Sequence, residues 1–402
     1  MRSIRELFKV GFGPSSSHTI GPSRAAKTFL DKHPEASAFR VTLYSSLAAT
    51  GRGHHTDLAI EKTMEGRNVE IVWKDNDSLP LHPNGMLFEA MDENQQVIDK
   101  WEVYSVGGGD LDDGGKYLTP GKGIYPVKNM EEVLKWCHDN GRHMWELVEM
   151  VEGKEIWDFL REVWRVMENT IEKGLENEGV LPGPLHVSRK AASYYTKAKT
   201  TTGVLKDKGM IFALALATSE ENASGGELVT APTCGASGVL PAVMYFNKKN
   251  MDQSEARILR ALAIAALIGN ITKTNGSISG AEVGCQGEIG TACAMSAGAA
   301  AYLIGGSPPQ VEYAAEMGFE HYLGLTCDPI QGYVQIPCIE RNAMAADTAR
   351  ECAVYAFFSD GAHKISFDQV VQTMVETGKD LQAAYRETGW GGLARHWDPL
   401  NI

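Results

Sequence analysis

The chain has 402 residues, with 38 Lys+Arg against 51 Asp+Glu and a formal net charge of −13. An acidic balance of that size argues against nucleic acid or an anionic membrane surface as the main partner. Hydrophobic residues at 43% and charged residues at 22% fit a soluble globular protein, and at roughly 150 residues per domain the length allows about two or three domains.

In chain order, residues 1–12 are charged and lack the apolar run of a signal peptide, so a cytoplasmic, reducing-compartment protein is expected. Apolar periodicity predicts helices over 22–32 and 56–64 and strands over 39–44, 69–73 and 101–106. A Gly-rich stretch, 107–123, follows the last of these strands. A Glu- and Trp-rich helical stretch comes next, over 130–150, and the domain boundary is expected near it. The expected division is a mixed α/β domain over 1–150 and an all-helical domain over 151–402, an α+β chain overall. In the second domain helices are predicted over 156–178, 208–218, 254–269, 290–304, 339–358 and 367–376, and strand signals nearly vanish. The longest uncharged run of small and apolar residues, 293–304, is too short to span a bilayer.

Four segments carry more Gly, Pro, Ser and His than a packed core needs. Ser15, Ser16, Ser17, His18 and Thr19 precede the first helix. Hydroxyls there serve as caps, and the same helix start can hold a carboxylate or phosphate. His54 and His55 sit between Gly53 and the helix of 56–64, while His82 and Asn84 sit in a Pro/Gly turn. Imidazole is the usual general base near neutral pH. The fourth segment is a set of thiol-bearing turns in the helical domain. Seven cysteines is an odd number and no C-x-x-C occurs, which excludes a complete disulfide framework and the familiar zinc-ribbon spacings. Cys285 lies in a Gly-rich turn before a helix, Cys327 in a loop, and Cys338 in the first turn of a helix after Pro337. Helix starts favour thiolate. Cys137, Cys293 and Cys352 read as core. The spacing of 42 and 11 residues leaves a metal site and a set of buried thiols both open.

GPSSSHTIGPSRAA, TGRGHHTDLAI, HPNGM and SVGGG resemble the β region of iron–sulfur L-serine dehydratases. APTCGASGVLPAV, ISGAEVGCQGEIGTACAMSAGAAAYLIGG and GLTCDPIQGYVQIPCIERNAMAA resemble the α region of the same family. The resemblance runs in family order over nearly the whole chain. It implies an N-terminal domain similar to the allosteric substrate-binding domain of some phosphoglycerate dehydrogenases, packed on a helical catalytic domain with a [4Fe–4S] cluster. It implies Cys285, Cys327 and Cys338 as cluster ligands, His54, His82 and Asn84 as active-site residues, the 15–19 loop on the substrate side, and a homodimer. The activity implied is α,β-elimination of L-serine to pyruvate and ammonia. An open iron acts as Lewis acid, and His54 or His82 is the base.

Three features depart from the family pattern. Fused members often end in a Cys that reaches the open iron, whereas this chain ends in Asn401-Ile402, so no such capping by the tail is expected. Cys234 stands where Asn is common, either as a tolerated small residue or as a substitute ligand. The segment between His54 and His82 is shorter than in longer members. Three alternatives stay open. One is a pyridoxal-phosphate dehydratase, for which Lys190 is the nearest Schiff-base lysine. The others are a non-catalytic amino-acid sensor and an iron–sulfur dehydratase of L-threonine or another small hydroxy acid.

Overall fold

Residues 38–44 alternate little in burial because the strand they form is covered on both faces, as a strand inside a sheet rather than at its edge is. The computed structural model describes residues 1–118 and 121–398. The strands are β1 (Val10–Phe12), β2 (Ala38–Tyr44), β3 (Asn68–Lys74), β4 (Gly85–Met91), β5 (Val97–Ser105), β6 (Leu111–Asp112) and β7 (Glu227–Val229). Five of them form one sheet in the order β3-β2-β4-β5-β6. β2 and β3 are parallel and are joined by a crossover through helices Ser45–Thr50 and Thr56–Thr63, as parallel neighbours require. The other pairs are antiparallel. Helix Gly21–Lys32 lays Ala25, Ala26 and Phe29 on the sheet, with Phe29 stacked on Trp101 at 6.0 Å between centroids.

The remainder is helical, so the chain is α+β with a small N-terminal α/β region and a helical C-terminal region. The stretch expected as one helix over 130–150 is two helices, Met130–Asn140 and Met144–Glu152. Gly141 separates them with φ +61, a left-handed end that favours glycine. Sequence periodicity does not reveal Ala191–Lys199, Val239–Asn250 or Pro308–Glu320. Much of the helical core is buried on every side, as Thr291–Leu303 is along its whole length, so no polar face marks its helices. Gly174 is needed at one crossing, since a Cβ there would lie 2.3 Å from the Ala217 carbonyl oxygen.

Two links tie the regions together. β1 pairs antiparallel with β7, and Ile4, Leu7 and Phe8 enter the helical core. Asp110 of the Gly-rich loop after β5 is gripped by Lys9 at 2.7 Å and Lys273 at 2.5 Å. The expectation about a capping tail falls on 399–402, outside the described residues. No helix among the described residues is long and apolar enough to cross a membrane.

Candidate active site

The first wall is the loop before helix Gly21–Lys32. Ser15 Oγ caps a wide turn, Ser16–Ile20, by accepting from the His18 amide at 3.1 Å. Thr19 Oγ1 donates to the His54 carbonyl at 2.8 Å. Ser15, Ser16, Ser17 and His18 are buried, and Thr19 is half-buried. Ser46 Oγ donates to the Glu387 carbonyl at 2.8 Å, so its lone pair meets His18 Nε2 at 3.2 Å. That makes Nε2 the protonated nitrogen of His18, and Nδ1 accepts the Ser17 hydroxyl at 2.9 Å. Burial pulls His18 down to about 4, against the pull of Glu387.

His54 is fixed in the opposite tautomer. Its Nδ1 donates to the Thr50 carbonyl at 2.9 Å, which leaves Nε2 as the basic nitrogen, 3.5 Å from Glu387 Oε1. Its ring stacks on His18 at 4.4 Å. His55 takes a left-handed backbone (φ +57), is half-buried, and sets its ring edge-on to Tyr333. His82 differs again: Nδ1 accepts from the Asn84 amide at 3.0 Å, so Nε2 carries the hydrogen. That Nε2 is buried without a hydrogen-bond partner among the described residues and stands 3.8 Å from Glu282 Oε2. Asn84 donates through Nδ2 to the Ser105 carbonyl and leaves Oδ1 unpaired. The 82–85 segment is therefore no exposed hairpin turn; Gly85 already begins β4, and His82 and Asn84 are buried.

Glu387 joins this wall to the thiols. Its amide donates to the Cys327 carbonyl at 2.7 Å, and the Cys327 amide donates to the Tyr385 carbonyl at 2.8 Å. Its backbone is left-handed, φ +56, and its side chain is buried. Oε1 lies 3.6 Å from His18 Nδ1 as well as 3.5 Å from His54, and Oε2 has no hydrogen-bond partner. Burial pushes this carboxyl up, but the three imidazoles of His18, His54 and His82 outweigh it and hold it below the usual carboxylate value.

Beyond Glu387 lies a pit of thiols. The ligand atoms of Cys285, Glu288 and Cys327 all lie within 4.8 Å of one another. Cys338 is the first residue of helix Cys338–Phe357, and Arg341, one turn on, interacts with all three thiols. The hydrogen bond from Cys327 is the main force that brings the Cys285 thiol down to about 7; burial opposes it and Arg341 assists. Cys327, by contrast, is raised by that same bond and then by burial, and Cys338 is raised by burial first. The floor is Gly280, where a Cβ would stand 2.7 Å from Glu288 Oε2, 3.2 Å from Cys327 Sγ and 3.3 Å from Glu387 Oε2. Only glycine leaves that space. Unpaired Glu387 Oε2, Thr233 Oγ1 and Ser279 Oγ belong to the residues around it. Two buried thiols, the half-buried Cys338, a counter-cation and a glycine-cleared space make a donor set that fits a metal group.

Of the other sequence candidates, Cys234 is buried beside the pit, between Thr233 and Gly235, where a Cβ on Gly235 would stand 3.3 Å from Glu288 Oε1. Cys137, Cys293 and Cys352 are buried in the helical core. Lys190 pairs with Glu340 at 3.2 Å, part-exposed and outside this site. Sequence reasoning missed Glu387, Glu288, Arg341 and Ser46. Glu288 and Arg341 stand inside the Cys-bearing segments already singled out, and Glu387 opens the Gly-rich ETGWGG stretch, which was the available signal. A cavity of about 540 Å³ between the two regions reaches the site at Glu282, with Asp110, Lys273 and Ser277 in its walls.

Residues 3–72 match the family model described as serine dehydratase beta chain, and 81–394 match that of serine dehydratase alpha chain. The L-serine dehydratase of Haemophilus influenzae is 42% identical over 449 aligned positions, which cover 98% of this chain and 99% of the relative. L-serine dehydratase 1 of Escherichia coli is 41% identical, with coverage of 98% and 99%. The L-serine dehydratase of Streptomyces coelicolor is 42% identical, with 98% of each covered. These alignments run longer than the 402 residues here, so the relatives carry residues this chain lacks within the aligned span. With both family models matched in one polypeptide and relatives aligned from end to end, the chain belongs to the L-serine dehydratase family, in the form that fuses the beta and alpha regions.

Proposed function

We propose that this chain converts L-serine to pyruvate and ammonia by α,β-elimination, with His54 as the base. The observation that carries this reading is the Nε2 of His54, left as the basic nitrogen by the Thr50 bond and set against Glu387 Oε1, while Glu387 Oε2 faces the thiol pit. Cys285, Cys327 and Cys338 would hold a [4Fe–4S] cluster. Such a group supplies Lewis acidity toward the departing hydroxyl.

The protein's own residues do the rest. The unpaired Nε2–H of His82 donates to the substrate carboxylate, and the unpaired Asn84 Oδ1 accepts from its ammonium. His82 is thus a donor rather than a base, because its Nδ1 is held by the Asn84 amide. His54 Nε2 removes the α-proton, and the imidazolium formed is stabilised by Glu387 Oε1. Glu387 Oε1 takes that proton from Nε2 and returns it to the departing hydroxyl, which leaves as water, so that neutral His54 and the carboxylate are restored. The aminoacrylate left behind tautomerises to the imine, and water hydrolyses it to pyruvate and ammonia. Burial of the site between the two regions keeps bulk water from these charges. Seven free thiols suit a cytoplasmic location.

The test is anaerobic purification followed by iron analysis and an L-serine-to-pyruvate assay. Serine turnover is expected in brown protein with about four irons per chain, the content of the cluster type named above. Cys285→Ser, Cys327→Ser and Cys338→Ser should each lose both iron and turnover, and Cys137→Ser neither. Full turnover in colourless, metal-free protein would overturn the reading.

A further inference from the structure

The helical region holds a second cavity, of about 810 Å³, between helices Pro308–Glu320 and Cys338–Phe357 and the loop at 362–365. That volume is within the usual range of small-molecule pockets, roughly 300–1,000 Å³. Thr348, the wall residue of this second helix nearest the thiol pit, stands 10 residues beyond Cys338, about 15 Å along the helix, and none of the three pit thiols lines the cavity.

Its distinctive feature is Glu316. This residue lines the cavity, is only 3% exposed, and has no hydrogen bond or ion pair among the described residues. The neighbouring carboxylates are already committed. Glu312 accepts from the Phe367 amide and His363 Nε2, each at 2.8 Å. Glu320 pairs with His321 at 3.7 Å, and Glu351 with Lys208 at 3.2 Å. A nearly buried carboxylate without a hydrogen-bond or ion-pair partner is costly, and the imidazoles of His363 and His321 offset that cost only in part. Burial, with Glu320 second, pushes Glu316 up to about 7.

The walls nearest it are aromatic, while the exposed Lys364 and His321 also line the cavity and neither pairs with Glu316. His363 stacks flat on Tyr313 at 4.3 Å, and Tyr355 meets Tyr313 edge-on at 6.1 Å. A hard metal ion needs several oxygen ligands, and one uncommitted carboxylate among rings does not supply them. A neutral apolar ligand would leave Glu316 unpaired. A cation on an apolar body satisfies both the carboxylate and the rings.

We propose that this cavity binds an organic primary ammonium, with the charge on Glu316 and the apolar or aromatic body against Tyr313, Tyr355 and Met317. The full-length protein is titrated calorimetrically with phenethylamine, with phenethyl alcohol as the neutral isostere and potassium chloride as the inorganic cation. The amine should bind at one site per chain, and the alcohol at least tenfold more weakly. Glu316→Gln should lower amine affinity at least tenfold and abolish the preference over the alcohol. Serine turnover without amine should be unchanged in that variant. Tyr355→Leu, on the exposed wall, should also weaken the amine, and decides the matter where Glu316→Gln does not fold. The proposal is overturned by equal binding of amine and alcohol, by no amine binding up to millimolar concentration, by potassium ion competing as well as the amine, or by variants within twofold of the parent.

Discussion

Replacing Glu387 with Gln removes one charge and keeps the shape. The backbone pairing of 385–387 with Cys327 does not involve the side chain, so the thiol pit should stay intact. What is lost is the partner of the His54 imidazolium, 3.5 Å away. Two unit charges at that distance attract by about 5 kcal/mol at an effective dielectric constant of ~20, before desolvation is subtracted. Net values for hydrogen bonds to charged groups are smaller, roughly 1.5–3 kcal/mol. Imidazolium charge develops only as the α-proton is transferred, so the loss falls on the transition state more than on the bound substrate. The expected outcome is a kcat lower by roughly 10- to 150-fold with KM changed far less. The assay is anaerobic pyruvate formation, normalised to iron content in each preparation. A variant with parental iron whose kcat stays within twofold of the parent would refute the coupling of His54 to Glu387. A variant that loses iron would show instead that the side chain builds the pit.

Three further outcomes follow from the same geometry. His54→Gln should nearly abolish kcat, whereas His82→Gln, which keeps a side-chain N–H donor, should mainly raise KM; the reverse pattern in steady-state kinetics would exchange their roles. Gly280→Ala should cut bound iron sharply while circular dichroism stays parental, because its Cβ would enter the space 2.7 Å from Glu288 Oε2; full iron loading would refute the glycine argument. Acidification should weaken the fold through His18. Its folded value of about 4 lies below the ordinary 6.5, so the unfolded chain binds the extra proton. Stability is therefore present above pH 6.5 and is lost as pH falls toward 4, by roughly 2 kcal/mol at pH 5. Urea unfolding at pH 7 and pH 5 should show a smaller difference in His18→Asn than in the parent; an unchanged difference would exclude His18 as the source.

Much of the architecture was legible in the order of residues. The apolar strand of 38–44 and the helix opened by Gly21-Pro22 are local patterns, which apolar periodicity and a proline in the first turn mark out. The same holds for the placement of Cys285 in a Gly turn and Cys338 at a helix start. Val239–Asn250 was harder, being buried along most of its length with no polar face, and Pro308–Glu320 buries two of the three glutamates in its polar stripe, Glu312 and Glu316 but not Glu320.

The sequence by itself therefore determined the fold class, the family motifs and the residue types available for chemistry. Only the tertiary structure decided which nitrogen of each histidine is free. Thr50 holds Nδ1 of His54, the Asn84 amide holds Nδ1 of His82, and Ser46 accepts from Nε2 of His18. It alone brought Glu387 back beside histidines more than 300 positions away. The reason is physical: a tautomer is set by the hydrogen bond at the other ring nitrogen, and a buried carboxylate by the cations around it. For His54 and His82 that bond comes from residues four and two positions away, but the Ser46 contact of His18 and the seat of Glu387 depend on what long-range packing places within about 3–4 Å, which no local pattern encodes.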